Sequence, residues 1–382
     1  MITSKAPAPK LLITTNTTWN LVNFRSGLIA ALVSRGFDVV AVAPDDEYCD
    51  TLRESGCRYV PLNMDNQGTH PVKDALLLWR YFVVLRRERP AVILSYTVKP
   101  NIYASLAARL VGVTVINNVS GLGTAFLRGG WLGGVVCSLY RVALRRSHRV
   151  FFQNDEDRQV FIEKRLVAPA RTGLLPGSGI DLVHFSPSAV EGSSLCNGAG
   201  LVFLMVARLL WDKGVLEFVE AARRVKALFP ESRFQLLGFL DVKNQTAVGR
   251  SDVEAWVKEG VVEYLGTSDD VRPFLAAADC VVLPSYREGT PRSLLEAAAM
   301  GRPLLATDVP GCREVVIDGV NGLLCRLRDS VDLAEKMMQM ITMPMSALLQ
   351  MGQESRRLAE TRFDEQIVIN KYLEAIDEVT GR

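Results

Sequence analysis

Glu288 and Glu296 stand eight positions apart in the run PSYREGTPRSLLEAAAMGRPLLATDVPG. Residues 281–283 read as the end of a buried strand. A polar turn follows through Gly289, and a helical pattern then runs to Met300 with a stop at Gly301. Thr290 is the expected N-cap, with Pro291 at the first helical position. Ser293, three residues before Glu296, offers a second start by a capping box. Glu288 then lies on the loop ahead of the helix, and Glu296 lies roughly 9 Å further along at about 1.5 Å per residue. Unpaired N–H groups of a helix start, together with its dipole, favour an anion such as a diphosphate. Carboxylates beside them can take sugar hydroxyls. The pattern therefore suits a nucleotide-sugar.

A second cluster is VARLLWDKG. Arg208 is expected at the carboxyl end of a strand, and Lys213 just before the next helix. Two such cations would clamp a diphosphate and stabilise it as a leaving group. Arg contributes a planar fork and Lys a mobile point charge.

Strand patterns alternate with helical ones along the chain, which predicts parallel α/β sheets. In the first half the strands are KLLITT, DVVAVAP, RYVPLN, AVILSY, TVINNVS and RVFFQN. In the second they are GLVFLMVARL, RFQLLG, VEYLG, CVVLP, PLLATD and GLLCRL. Long helices close the chain between about 331 and 379. The expected domains are 1–185, facing an acceptor and a membrane, and 201–362, binding the nucleotide-sugar. Residues 186–200 read as a linker, and 363–382 as a helix packing back on the first domain. In doubly wound sheets, ligands bind at the carboxyl ends of the strands.

The 382 residues suffice for two domains of about 150–200 residues each. The seven cysteines are scattered without a C-x-x-C pair, which points to reduced thiols in a cytosol rather than a disulfide framework or a zinc site. The N-terminus lacks the apolar core of a signal peptide, and no stretch reaches the roughly 20 apolar residues of a membrane span.

Net charge is +2, but residues 1–185 hold 22 basic and 14 acidic side chains, and the remainder 22 and 28. Residues 75–153 carry eleven basic residues and one acid, Glu88. Within that region Trp131 and Leu132 are interleaved with Arg128, Arg141, Arg145 and Arg146. Such a stretch is expected to dock on an anionic membrane face. No recognition-helix or basic–aromatic groove motif points to nucleic acid.

Taken together, VARLLWDKG, the glutamate pair in REGTPRSLLEAAAMGRPLLATDVPG and GIDLVHFSP resemble the retaining glycosyltransferases of the large bacterial family four. GTHPVKD, YTVKPNIYASLAARLVGV and INNVSGLGTAF are similar to enzymes that extend an undecaprenyl-diphosphate-linked sugar. Among these are N-acetylgalactosaminyltransferases of O-antigen and N-glycan assembly. The resemblance covers nearly the whole chain and implies the GT-B fold: two doubly wound Rossmann-like domains facing a central cleft, with C-terminal helices. It implies a hexosyl transfer from a UDP-sugar, best read as UDP-GalNAc, to a polyprenyl-diphosphate-linked sugar. The enzyme would work in surface polysaccharide synthesis at the inner face of the cytoplasmic membrane.

By the same resemblance, Arg208 and Lys213 bind the donor diphosphate, Glu288 the donor sugar near its 3- and 4-hydroxyls, and Glu296 the ribose. Backbone N–H groups from Thr290 through Arg292 and Ser293 to Leu294 complete the cradle, and uracil rests near Tyr264 and Leu265. Two departures stand out: many relatives have a Gly-Gly turn where this chain has Asn16 and its neighbours, and a His or carboxylate near Ser120. Front-face substitution is favoured over a double displacement, because Glu288 is the one available nucleophile and is assigned to hydroxyls.

For the acceptor, Lys99, opening a helix with Asn101 at a strand end, and His70, in NQGTHPVKD, are candidates beside Ser120 and Asn16. His148 and His184 read as structural. No metal site is expected, since the histidines are unclustered and no D-x-D occupies a strand-end loop. Two other classes remain open: an epimerase of the same fold, and a non-catalytic nucleotide-sugar-binding subunit.

Overall fold

The structure, a computed structural model, describes residues 8–65, 70–122, 130–187, 200–240, 244 and 246–381, with backbone alone for 130–132. The chain divides into two compact units, Met1–Ser178 with Gln366–Arg382, and Gly179–Glu365.

The first unit is built on β1 (Lys10–Thr14), β2 (Asp38–Ala43), β3 (Arg58–Pro61), β4 (Val92–Tyr96), β5 (Thr114–Val119), β6 (Arg149–Phe152) and β7 (Thr172–Leu174). All pairs are parallel, in the order β3-β2-β1-β4-β5-β6-β7. The strands are near-continuous apolar runs because helices cover both faces. On one face lie the Thr18–Ser34 helix and the closing Glu365–Thr380 helix, whose Tyr372 packs edge-on to Phe151. On the other lie the helices Pro71–Glu88, Val98–Val111 and Gly130–Leu144, sharing one core through Leu77, Tyr81, Ala104, Val136 and Tyr140.

The second unit repeats the plan with β8 (Val202–Val206), β9 (Arg233–Leu237), β10 (Glu263–Tyr264), β11 (Cys280–Leu283), β12 (Leu304–Thr307) and β13 (Gly322–Cys325). Its parallel order is β10-β9-β8-β11-β12-β13. From β8 the chain winds outward to β9 and β10, then returns to the other side of β8 for β11. The loops after β8 and β11 therefore leave adjacent strands at the point where winding reverses, the place at which such a sheet opens a crevice.

Every strand read from the sequence is present. The edge strand β7 was not anticipated, since its three residues Thr-Gly-Leu carry no apolar run.

Candidate functional site

The loop after β8 carries Arg208 and Lys213, and the loop after β11 carries Glu288. The two loops are stitched together by their backbones. The Tyr286 N–H donates to the Asp212 carbonyl at 2.9 Å, and the Ser285 hydroxyl donates to the same oxygen at 3.2 Å. Gly214 makes the approach possible: its φ is +77°, and a Cβ there would stand 2.0 Å from the Pro284 carbonyl oxygen. Only glycine meets both demands. With the loops so joined, the Lys213 ammonium forms an ion pair with Glu288 Oε1. Both side chains are largely withdrawn from water, at 21% and 13% exposure.

Arg208 stands five residues before Lys213, exposed, its guanidinium without a hydrogen bond or ion pair to any described residue. The loop thus presents one committed cation and one uncommitted cation. An anion can recruit Arg208 without breaking an existing pair.

Two further contacts hold the Glu288 loop. The Tyr286 hydroxyl donates to Glu217 Oε1 at 2.7 Å, and the Arg328 guanidinium lies 4.4 Å above the Tyr286 ring. Burial first, then the Glu217 carboxylate, pushes the Tyr286 phenol up to about 12, so it remains a donor. Glu217 lies in the first turn of the Val215–Lys226 helix, where a carboxylate is favoured by the dipole. From the other side, Gly311 at φ +81° brings the loop after β12 against the same segment. A Cβ there would lie 2.0 Å from the Gly289 carbonyl oxygen. Of these props, Tyr286, Glu217 and Arg328 carry no local motif, and Gly311 is the last residue of DVPG. The glycine of DVPG was the one signal that a backbone approaches closely.

The next helix spans Arg292–Ala299. Its N-cap is Pro291, without a side-chain cap, so the expected Thr290 cap and the Ser293 capping box are both corrected. Proline can sit there because the N-cap's own N–H is not needed by the helix. The N–H groups of Ser293 and Leu294 lack the i−4 carbonyl that later residues use and bond to no other described residue. Leu295 is the first to close a turn, onto the Pro291 carbonyl at 3.2 Å.

Glu296 does not share the partner of Glu288. Its Oε1 accepts from Arg292 Nε at 3.0 Å, one turn away. Arg292 in turn donates through Nη1 to the Gly179 carbonyl at 2.6 Å. Burial raises the Glu296 carboxyl above its ordinary value, and Arg292 opposes that rise. Tyr264 and Leu265 are half-buried at the end of β10, with the Tyr264 hydroxyl donating to the Gly238 carbonyl at 3.0 Å. That bond fixes the turn after β9, one strand from β8.

In the first unit the corresponding reversal lies between β1 and β4, followed respectively by Asn16 and by Lys99. Lys99 is not a solvated loop lysine; it bridges Asp74 at 2.9 Å and is mostly buried. Asn101 needs correction as an acceptor contact. It is 1% exposed, its Nδ2 donates to the Asn118 carbonyl at 2.7 Å, and its Oδ1 accepts from Asn117 at 3.0 Å. Both ends of its amide are consumed in holding the Val98–Val111 helix to β5. The Ser120 hydroxyl, half-buried, donates to Asn118 Oδ1 at 2.9 Å, and Asn16 accepts from Thr15 at 3.4 Å. His70 is exposed at the N-cap of the Pro71–Glu88 helix and makes no side-chain cap. His148 bonds Glu378 at 2.8 Å, and the His184 ring lies edge-on to Phe185.

Of the residues expected at a membrane, Arg128 and the side chains of Trp131 and Leu132 lie outside the described residues. Arg141, Arg145 and Arg146 are exposed, and Arg141 donates to the Lys164 carbonyl at 3.1 Å. Among the described residues no helix is long and apolar enough to cross a membrane.

Residues 200–343 match a family model described as glycosyl transferases group 1, and residues 23–178 match a glycosyl transferase 4-like domain. The chain is 29% identical over 94% of its length to a Campylobacter jejuni protein, 96% of which is covered. That relative is named N,N'-diacetylbacillosaminyl-diphospho-undecaprenol alpha-1,3-N-acetylgalactosaminyltransferase. It is also 29% identical, over 68% of each chain, to the Escherichia coli UDP-Gal:alpha-D-GlcNAc-diphosphoundecaprenol alpha-1,3-galactosyltransferase. Among solved structures, HepE from Anabaena in complex with UDP-glucose superposes with a TM-score of 0.77. The match covers 98% of this chain and all of that one, at 19% identity. At that identity the likeness shows the fold, which is GT-B.

Proposed function

The chain belongs to the group 1 glycosyl transferases and is a hexosyltransferase, and we propose that it moves N-acetylgalactosamine from UDP-GalNAc to an undecaprenyl-diphosphate-linked sugar. The reaction would serve surface polysaccharide or glycan assembly, with the protein peripheral at the inner face of the membrane. The observation that carries the donor half is the Lys213–Glu288 pair at the reversal of the second sheet, with Arg208 exposed beside it. A cation next to a carboxylate meets the two needs of a sugar diphosphate: charge neutralisation at the phosphate and hydrogen-bond acceptance from ring hydroxyls. The acceptor half is supported by two relatives whose names specify a diphospho-undecaprenol or diphosphoundecaprenol substrate.

In this reading the acceptor hydroxyl oxygen attacks C1 of the donor sugar from the face that the diphosphate leaves. The C1–O bond to phosphate breaks, and the hydroxyl proton passes to the departing phosphate oxygen. Lys213 and Arg208 take up the charge that develops there, while Glu288 holds the sugar hydroxyls. Glu296 receives the ribose and must exchange its Arg292 contact to do so. Retention is supported by the alpha products in both relatives' names, because UDP-hexoses carry an alpha-linked diphosphate. No metal is assigned a role.

The test is the purified chain with UDP-GalNAc, UDP-GlcNAc, UDP-Gal or UDP-Glc, each with and without a lipid-diphosphate sugar and with EDTA present. UDP release that requires acceptor and is fastest with UDP-GalNAc supports the proposal, as does an alpha anomeric signal in the product. Sugar isomerisation without acceptor, or binding without turnover, overturns it.

A further inference from the structure

We infer that the outer side of the Pro71–Glu88 helix is a docking surface for an anionic lipid bilayer. Four large apolar residues on it face solvent: Val72 at 71% exposure, Leu76 at 42%, Trp79 at 60% and Val83 at 43%. Their spacing of four, three and four confines them to an arc of about 60° at roughly 100° per residue. The opposite side of the same helix carries Leu77, Tyr81 and Leu85, all buried in the core of the first unit. The outward stripe is therefore additional to what folding uses.

Charge identifies the occupant. Arg86 and Arg87 are exposed and, by the same geometry, flank the stripe on its two sides. The Pro71–Glu88, Val98–Val111 and Gly130–Leu144 helices carry only two acids, Asp74 and Glu88. Both are buried and bridged, Asp74 to Lys99 and Glu88 to Arg58 and Lys10, with the exposed Arg87 also 3.9 Å from Glu88 Oε1. No described acidic side chain of these three helices faces water. The exposed acids Asp155, Glu156 and Glu163 belong to a fourth helix on this face, Asp155–Glu163, which packs through Phe161 against Tyr140 of Gly130–Leu144. The neighbouring Gly130–Leu144 helix shares the same core, so its exposed Val135 and Val142 look out from that side too.

A second copy of this chain fits poorly. Two-fold pairing sets the same patch against itself and brings arginine toward arginine. An anionic bilayer satisfies each part at once. The apolar stripe enters the acyl boundary, the indole lies at the headgroup level, and the arginines reach phosphate.

The inference deepens the proposed function, since a lipid-linked acceptor lies at such a surface. It is tested without substrate. The full chain is sedimented with vesicles of phosphatidylethanolamine and phosphatidylglycerol, and with phosphatidylcholine alone. Wild type is expected to pellet with the anionic vesicles and be released by salt. Leu76→Ser with Trp79→Ser should lower the bound fraction about tenfold. Arg86→Glu with Arg87→Glu should remove the preference for anionic lipid. Circular dichroism and transfer to a short-chain, water-soluble acceptor should stay unchanged in both. The inference is overturned if wild type fails to pellet or if both variants pellet like wild type. It also fails if the stripe variant dissolves a dimer seen by light scattering. Loss of vesicle binding with retained soluble transfer separates it from any failure of the catalytic reading.

Discussion

Lys213 and Glu288, 75 residues apart in sequence, form one ion pair because Ser285 and Tyr286 of the loop after β11 both donate to the Asp212 carbonyl in the loop after β8. The pair is shielded enough that deleting one partner strands the other's charge.

Lys213→Ala is expected to lower kcat about a hundred- to a thousandfold, the scale of a lost contact to developing charge. Circular dichroism should be unchanged. Turnover near that of wild type would remove Lys213 from the mechanism. Glu288→Gln should depress kcat as well, and the double variant should fall short of the product of the two effects, since both serve one donor. Full multiplicativity would indicate two independent sites.

Gly311→Ala addresses the loop support alone. The new methyl group would meet the Gly289 carbonyl oxygen and displace the segment that carries Glu288. KM for the UDP-sugar should rise and the melting temperature should fall. Gly319→Ala is the matched control: φ is +74°, but open space surrounds the site. Its expected cost is about 1 kcal/mol from backbone strain, with kinetics intact. Equal kinetics in both variants would mean that the loop after β12 does not set the position of Glu288.

The acid limb of stability reports on Glu88. Hydrogen bonding to Arg58 leads, opposed by burial and reinforced by Lys10, and the carboxyl is held down at about 2. A carboxyl lowered on folding contributes stability above its unfolded value of 4.5 and loses it as pH falls toward 2. Glu88→Gln should therefore melt below wild type at pH 7, with the gap narrowing from pH 4.5 downward. A gap independent of pH would show that the loss comes from packing.

Much of this architecture is readable in advance because parallel strands buried on both faces are written as unbroken apolar runs, as in Val92–Tyr96 and Cys280–Leu283. Arg208, Lys213 and Glu288 follow such runs directly, so their loops could be named. Their pairing could not, since it depends on the order β8-β11, which no local pattern states. Asn101 and Lys99 show the converse limit. A polar residue at the start of a helix looks like a ligand contact until the tertiary fold supplies Asn118 and Asp74 as partners. The start at Arg292 rather than Pro291 is a shift of one residue. Proline suits either position, and the sequence does not choose between them.

The parallel bridge of Ile180 to Asp364 has a consequence of its own. The Ile180 N–H donates to the Phe363 carbonyl at 2.7 Å, and the Glu365 N–H returns to the Ile180 carbonyl at 3.0 Å. The second unit is thus a cassette whose entry and exit are already fastened, the geometry in which excision and circular permutation are tolerated. Residues 179–365 expressed alone should melt cooperatively and gain thermal stability with UDP. A fragment that stays unfolded would mean that the cassette borrows its stability from the rest of the polypeptide.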